Sequence, residues 1–277
     1  MKVTIIKPSR SWWDIGWREI WNYRDLLLLF VRRDFVQVYK QTILGPLWYI
    51  IQPLLTTFTF TVIFNRVAGV STDGIPSFLF YMSGIVIWTY FAECFTKTAN
   101  SFRTNANIFG KVYFPRLIAP LSVVISNLFK LAVQLLIFIA LWVYYYCTGS
   151  PIKLDSSLLL FPYYILLMGG IGLGLGLIIS SVTTKYRDMQ FLLGFGVQLL
   201  MYATPIVYPM SLLEGVYYKL MWFNPIAHII ESFKYATMGK GMFDLYGLAY
   251  SGFFMLVVLF IGVIVFNKVE RNFMDTV

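Results

Sequence analysis

Two ionisable side chains stand inside long apolar runs, Glu93 and Lys130. A charge in such a run is costly, and it marks either a pair or a polar passage. The two are expected to pair across neighbouring helices or to face a polar lumen together. Other reactive chemistry is sparse. His228 is the only histidine, so no cluster with metal-ligand spacing exists and no metal is expected. The run GGIGLGLG at 169–176 lacks the lysine that a phosphate-cradling loop requires. Its Gly170/Gly174 and Gly172/Gly176 spacings suit close helix packing instead. Cys94 and Cys147 read as ordinary buried thiols, and no Ser, His and carboxylate motif for nucleophilic catalysis is visible. The chain therefore shows no engine. Uphill movement of anything would draw on a partner or an ion gradient.

The elements that must position these residues follow from composition. The 277 residues are 58% hydrophobic and only 13% charged, about half the charged share of a soluble domain. Six segments are candidates to cross a bilayer: 47–64, 78–96, 121–146, 158–182, 191–208 and 246–266. Each is about long enough for ~30 Å of hydrocarbon. The fifth is interrupted near its end by Pro205 and Pro209. The fold class is thus all-α membrane protein, read as one domain over 1–277. The first residues carry no apolar h-region or cleavage site, so no cleaved signal peptide is expected.

Net charge is +9, and its distribution is a topology signal. Sixteen Lys and Arg residues fall in the N-terminal segment, the second-to-third and fourth-to-fifth connections and the tail, and five fall on the opposite face. By the positive-inside bias both termini are cytoplasmic, and nucleic acid is not an expected partner.

Three segments are neither spans nor plain loops. Residues 22–43 form an amphipathic helix with Arg33, Gln37, Lys40 and Gln41 on one face and Val31, Phe35 and Val38 roughly opposite. This suits the cytoplasmic interface, with Trp12, Trp13, Trp17 and Trp21 as preceding anchors. Residues 211–241 read as an outer helical hairpin dipping into the membrane. Asn224 caps it, Pro225 opens a helix of about 14 residues, and Gly239 stops it. That hairpin is either a gate or a passive cap. The third is the elbow NANIFGKVYFPRLIAP at 105–120, basic and aromatic with no acid. It is either a topogenic loop lying in the interface or a docking surface. Aromatics in and near the first two spans, Tyr49, Tyr81, Trp88, Tyr90 and Phe91, are candidates for a lumen that slides sugar rings. Glu93 and Tyr202 complete the lining set.

VYFPRLIAPLSVVIS (112–126), YRD (186–188), TPIVYP (204–209), NPIAHIIESFKYATMGKG (224–241) and VERNFMDTV (269–277) carry a family resemblance. Over almost the whole chain the sequence resembles permease subunits of type-2 ABC exporters. It looks most like the Wzm-like branch that exports lipid-linked O antigen, capsule or teichoic acid. The resemblance implies a homodimer in the bacterial inner membrane, joined to two copies of a separate ABC ATP-binding subunit that binds ATP and Mg. This chain would hold no cofactor. An undecaprenyl-linked polysaccharide, with O antigen first among the options, would pass at the dimer axis.

The elbow then implies a coupling helix, with Asn107, Ile108, Phe109, Gly110, Lys111, Val112, Tyr113 and Arg116 meeting the ATPase. Arg32, Arg33 and Lys40 would flank an inner entrance for the lipid pyrophosphate among membrane lipids, and Pro205, Pro209, Asn224 and Pro225 would belong to an outer gate. Three alternatives stay open: a type-2 permease for a drug or small lipid, a polyprenyl-phosphate membrane enzyme, and an ion-coupled carrier. The enzyme needs clustered carboxylates, and the carrier usually shows inverted repeats. Neither is visible.

Overall fold

The computed structural model describes residues 17–40, 44–109, 111, 112, 114–183, 186 and 188–276. Among them there is no strand. Two short leading helices, α1 (Trp17–Asn22) and α2 (Arg24–Lys40), precede the first span. α3 (Trp48–Phe60) continues through a wider π turn to Val67, so that Gly45–Val67 makes one apolar length. Next come α4 (Ser77–Ala99), the elbow helices α5 (Ser101–Thr104) and α6 (Ala106–Phe109), α7 (Ile118–Cys147) and α8 (Phe161–Thr183). The chain ends in α9 (Met189–Tyr202), α10 (Gly215–Trp222), α11 (Pro225–Met238) and α12 (Leu245–Thr276). The expected anchors Trp12 and Trp13 and residues 41–43 lie outside the described residues.

Among the described residues five segments are long and apolar enough to cross a membrane: Gly45–Val67, Ser77–Ala99, Ile118–Cys147, Ser156–Thr183 and Leu245–Val269. The protein is a multi-pass, all-helical membrane protein. The segment expected at 191–208 differs. α9 ends at Tyr202 after 14 residues, about 21 Å of helix at 1.5 Å per residue. Thr204 turns its hydroxyl back onto the Leu200 carbonyl at 2.7 Å, and Pro205 and Pro209 have no N–H with which to extend the helix. The chain beyond folds inward instead, burying Ile206 and Val207.

α8 is the packing centre, and glycine makes it so. A Cβ at Gly172 would lie 3.0 Å from the Phe91 carbonyl oxygen and from Cys94 Cβ of α4. A Cβ at Gly174 would lie 2.8 Å from the Leu259 nitrogen of α12. The two small-residue spacings thus serve two different neighbours, one on each side of α8. Cys94 is buried at this contact, whereas Cys147 is exposed, against expectation, because it sits in the last turn of α7, where Val143, Tyr144 and Tyr146 are exposed too.

The bundle has two unlike ends. At one, Ile20 and Phe30 of the leading helices cluster with Phe102, Phe109 and Phe114 of the elbow and Phe266 of α12. The N-terminal helices, the elbow and the end of the last span therefore share one end. At the other, Lys153 N–H donates to the Met238 carbonyl, Asp155 N–H to that of Ala236, and Lys240 Nζ to that of Asp73 at 2.8 Å.

α11 has the bounds that its caps dictate. Asn224 Oδ1 accepts from Ile226 N–H at 3.0 Å, Pro225 occupies the first turn, and Gly239 ends it at φ 67°. Every residue of α11 but Tyr235 is buried, while α10 buries none. The hairpin is therefore a core helix with an exposed companion.

Candidate functional site

The charged pair is a triad. Lys130 Nζ lies 2.9 Å from Glu93 Oε1, and Lys97 Nζ, one helical turn along α4, lies 2.7 Å from Oε2. Both carboxylate oxygens are occupied, which is how a charge is kept at this depth. Lys97 also donates to Asn127 Oδ1 at 3.1 Å, and Lys130 sits 5.5 Å over the Tyr49 ring. Two ammonium groups for one carboxylate leave a net positive charge.

This triad lies beside two cavities that share Thr96 and Lys97 as a common wall. The one beside the elbow, about 440 Å³, is bounded by α2, α3, α4 and α7 and includes Arg33, Asp34, Tyr49, Asn105 and Asn127. Arg33 bridges it: one guanidinium nitrogen donates to Asn105 Oδ1 of the elbow at 2.8 Å, another to Asp34 Oδ1 at 2.8 Å. Ser126 of α7 donates to Asp34 Oδ2 at 3.4 Å. The second cavity, about 400 Å³, is bounded by Gln52 and Thr56 of α3, Trp88, Thr89 and Glu93 of α4, Gln134 of α7 and Met201 of α9.

The expected lining set divides. Trp88 and Glu93 line the second cavity, Tyr49 lines the first, and Tyr202 is 44% exposed on α9. Tyr81, Tyr90 and Phe91 line neither of these cavities: their exposures are 0%, 4% and 0%. Tyr81 meets the edge of Phe60, Phe91 packs between Trp88 and Phe95, and Tyr90 abuts Gly169, whose missing Cβ makes room for the ring. These three belong to the core that holds α4 against α3 and α8. An aromatic in a wholly apolar run gives no sequence signal of which way it turns.

The expected entrance cations also divide. Arg32 and Lys40 are exposed, and Arg33 is turned inward by Asp34 and Asn105. On the elbow, Asn107, Lys111 and Val112 are exposed and Ile108 is half-buried. Phe109 is the exception to the docking set. It is 3% exposed and packs on Phe102 and Phe114 with Arg116 over its ring at 5.6 Å. It anchors the elbow to the bundle and offers no surface. Gly110 and Tyr113 lie outside the described residues.

At the other end Pro205, Pro209 and Pro225 are buried. Lys234, 1% exposed, donates to the Pro205 carbonyl, lies 3.2 Å from Glu231 Oε1 and sits 3.8 Å over the Phe80 ring. Asn224 Nδ2 donates to the Ala203 carbonyl and to Thr204 Oγ1, both at 3.1 Å. The turn after α9 is therefore locked onto α11. Sequence reading passed over this pair, although the Glu-to-Lys spacing of three residues was there to see. Among the described residues no group of three His, Cys, Asp or Glu side chains is placed to hold a metal.

With the geometry set out, comparison with known proteins places the chain. The sequence profile described as ABC-2 type transporter matches residues 25–238. This chain belongs to that family. The match runs from α2 through α11 and so takes in the triad, the elbow and the locked turn. Among the family's named proteins, an O-antigen export system permease protein RfbA of Klebsiella pneumoniae is 30% identical over 260 residues, covering 91% of this chain and 94% of the relative. The Myxococcus xanthus protein of the same name is 26% identical, covering 78% and 82%. The polysialic acid transport protein KpsM of Escherichia coli is 24% identical, covering 82% and 87%.

Proposed function

We propose that this chain is the membrane-spanning permease of an ATP-driven exporter of lipid-linked polysaccharide, with O antigen as its first candidate cargo. The observation that carries the reading is the likeness, over 91% of this chain, to permeases named for O-antigen export. It works as a homodimer in the bacterial inner membrane, joined to two copies of a separate ATP-binding subunit that supplies ATP and Mg. Both termini and the elbow face the cytoplasm.

The geometry supports a route for force. An ATP-binding subunit pressing on Asn107, Lys111 and Val112 would move a segment that Phe109 ties to the bundle. Asn105 passes the displacement to α2 through Arg33, while Ser101 and Thr183 connect the same segment to α8. α4 leads directly into the elbow and carries Glu93 and Lys97 of the triad, with Lys130 facing them from α7. Motion of α4 against α3 and α9 would then open the face along which a glycan is drawn.

The test is genetic and direct. Deleting this chain in its host should abolish surface glycan and accumulate lipid-linked chains inside. A partner subunit that binds but cannot hydrolyse ATP should give the same phenotype. Normal surface glycan in the deletion strain would end this reading.

A further inference from the structure

Between α7, the start of α8 and α11 lies a third cavity, of about 580 Å³, that the export reading does not use. Its floor is aromatic. The Phe233 ring of α11 is centred 5.6 Å from that of Phe138 and 5.9 Å from that of Phe161. Among the described residues Thr237 is the one hydroxyl on its walls, and Thr237 Oγ1 donates to the Phe233 carbonyl at 2.8 Å. The Trp142 indole N–H donates to the Thr237 carbonyl at 2.6 Å. Both polar groups are thus engaged within the protein, and an apolar space of this kind does not take up water. An unfilled one forgoes dispersion contacts along its whole lining. Hydrocarbon is the occupant it fits.

Position names the source of that hydrocarbon. α7 and α8 are membrane spans, and Ile139, Val143, Leu154 and Leu159 on the cavity's walls are exposed, so it opens sideways to the surrounding bilayer. None of its walls comes from α3 or α9, the helices with few buried residues, so it is not on the side that best suits a second copy. Near the end of α7, Trp142 stacks on Tyr146 at 5.2 Å, and Tyr144 meets the edge of Tyr145. Such a belt marks headgroup level. Lys153, next to the wall residue Leu154, is exposed, while Asp155 turns its carboxylate to the Ser157 N–H at 2.8 Å. An apolar slot with a cation beside its mouth matches a lipid chain joined to a phosphate.

We infer that this cavity holds one acyl chain of an anionic bilayer phospholipid, with the phosphate at Lys153. In the orientation proposed above the lipid belongs to the outer leaflet, but the site itself does not depend on the export reading. The chain lies against Phe233 and Thr237 and so braces α11, the helix whose Lys234 and N-terminal Asn224 hold the turn after α9.

The test uses the purified permease–ATPase complex in vesicles of neutral phosphatidylcholine with increasing phosphatidylglycerol brominated on its acyl chains. Bromine quenches tryptophan on contact, and the difference between wild type and Trp142→Phe isolates the Trp142 emission. The site predicts that Trp142 is quenched at a mole fraction several-fold below that needed for the other tryptophans. Lys153→Gln should raise the fraction needed about fivefold. Ile139→Phe, which fills the slot, should abolish the early quenching, and both variants should melt as wild type does. Quenching that follows the bulk lipid fraction equally in all three proteins means ordinary boundary lipid and overturns the inference. So does an unquenched Trp142. Displacement of the brominated lipid by polyprenyl phosphate more readily than by unlabelled phosphatidylglycerol overturns it too, since the occupant would then be a polyprenyl tail. If Trp142→Phe folds poorly, native mass spectrometry of wild type and Lys153→Gln decides. A phosphatidylglycerol retained by wild type and lost from the variant supports the site, and any other pattern overturns it.

Discussion

Glu93 is shared between two lysines, and that changes what its substitution should do. Glu93→Gln leaves two ammonium groups facing each other across a neutral amide. Breaking a pair of this kind costs about 3–5 kcal/mol, which should appear as a large drop in melting temperature in detergent. Lys97→Gln removes an ammonium whose side chain is half exposed and should cost less than about 1 kcal/mol. The combined Glu93→Lys and Lys130→Glu exchange should recover only part of the loss, because the ammonium it brings to position 93 would stand one turn from Lys97. Full recovery by that exchange would mean Lys97 is not part of the group. Glu93 and Lys130 were legible in the sequence because a charge in an apolar run stands out in one dimension. Gln134, whose side-chain nitrogen has no hydrogen-bond partner among the described residues, was not, since an uncharged amide in a span becomes conspicuous only when its neighbours fail to bond it.

Among the elements, α8 is the one on which the bundle depends. Gly174→Ala would push a methyl group into the backbone of α12, which cannot yield as a flexible side chain would. We expect a loss of about 1–3 kcal/mol in thermal melting, and an unchanged melting curve would show that α12 can slide aside. The glycine spacing announced this packing in advance, though not that the two pairs serve opposite neighbours. The elbow teaches the converse. Its basic and aromatic character was plain from the sequence, but how its apolar side chains divide between core and surface was not. Phe109 enters the cluster with Phe102 and Phe266, and Val112 remains 59% exposed. Phe109→Asp should therefore destabilise the permease itself, whereas Val112→Asp should leave its melting unchanged. The length of α9 was misjudged for a related reason: hydropathy continues through residues 204–208, but the backbone turns inward there to reach Lys234 and Asn224.

For the molecule as a whole, the decisive arrangement is that α1, α2, the elbow and the end of α12 gather at one end. Single cysteines on a chain cleared of Cys94 and Cys147 should react accordingly. One at Lys111 should be blocked by an impermeant thiol reagent only in inverted vesicles, and one at Leu154 only in intact spheroplasts. The reverse pattern would turn the protein over and remove the elbow from the cytoplasm. The most direct measurement uses the exposed part of the elbow alone. In a strain carrying Lys111→Glu with Val112→Asp, co-purification of the ATP-binding subunit and surface glycan should be measured on the same cells. An export conduit worked through its elbow predicts a normally folded permease, a lost partner and no surface glycan. A variant that still holds its partner and still delivers glycan to the surface at the wild-type rate would contradict it.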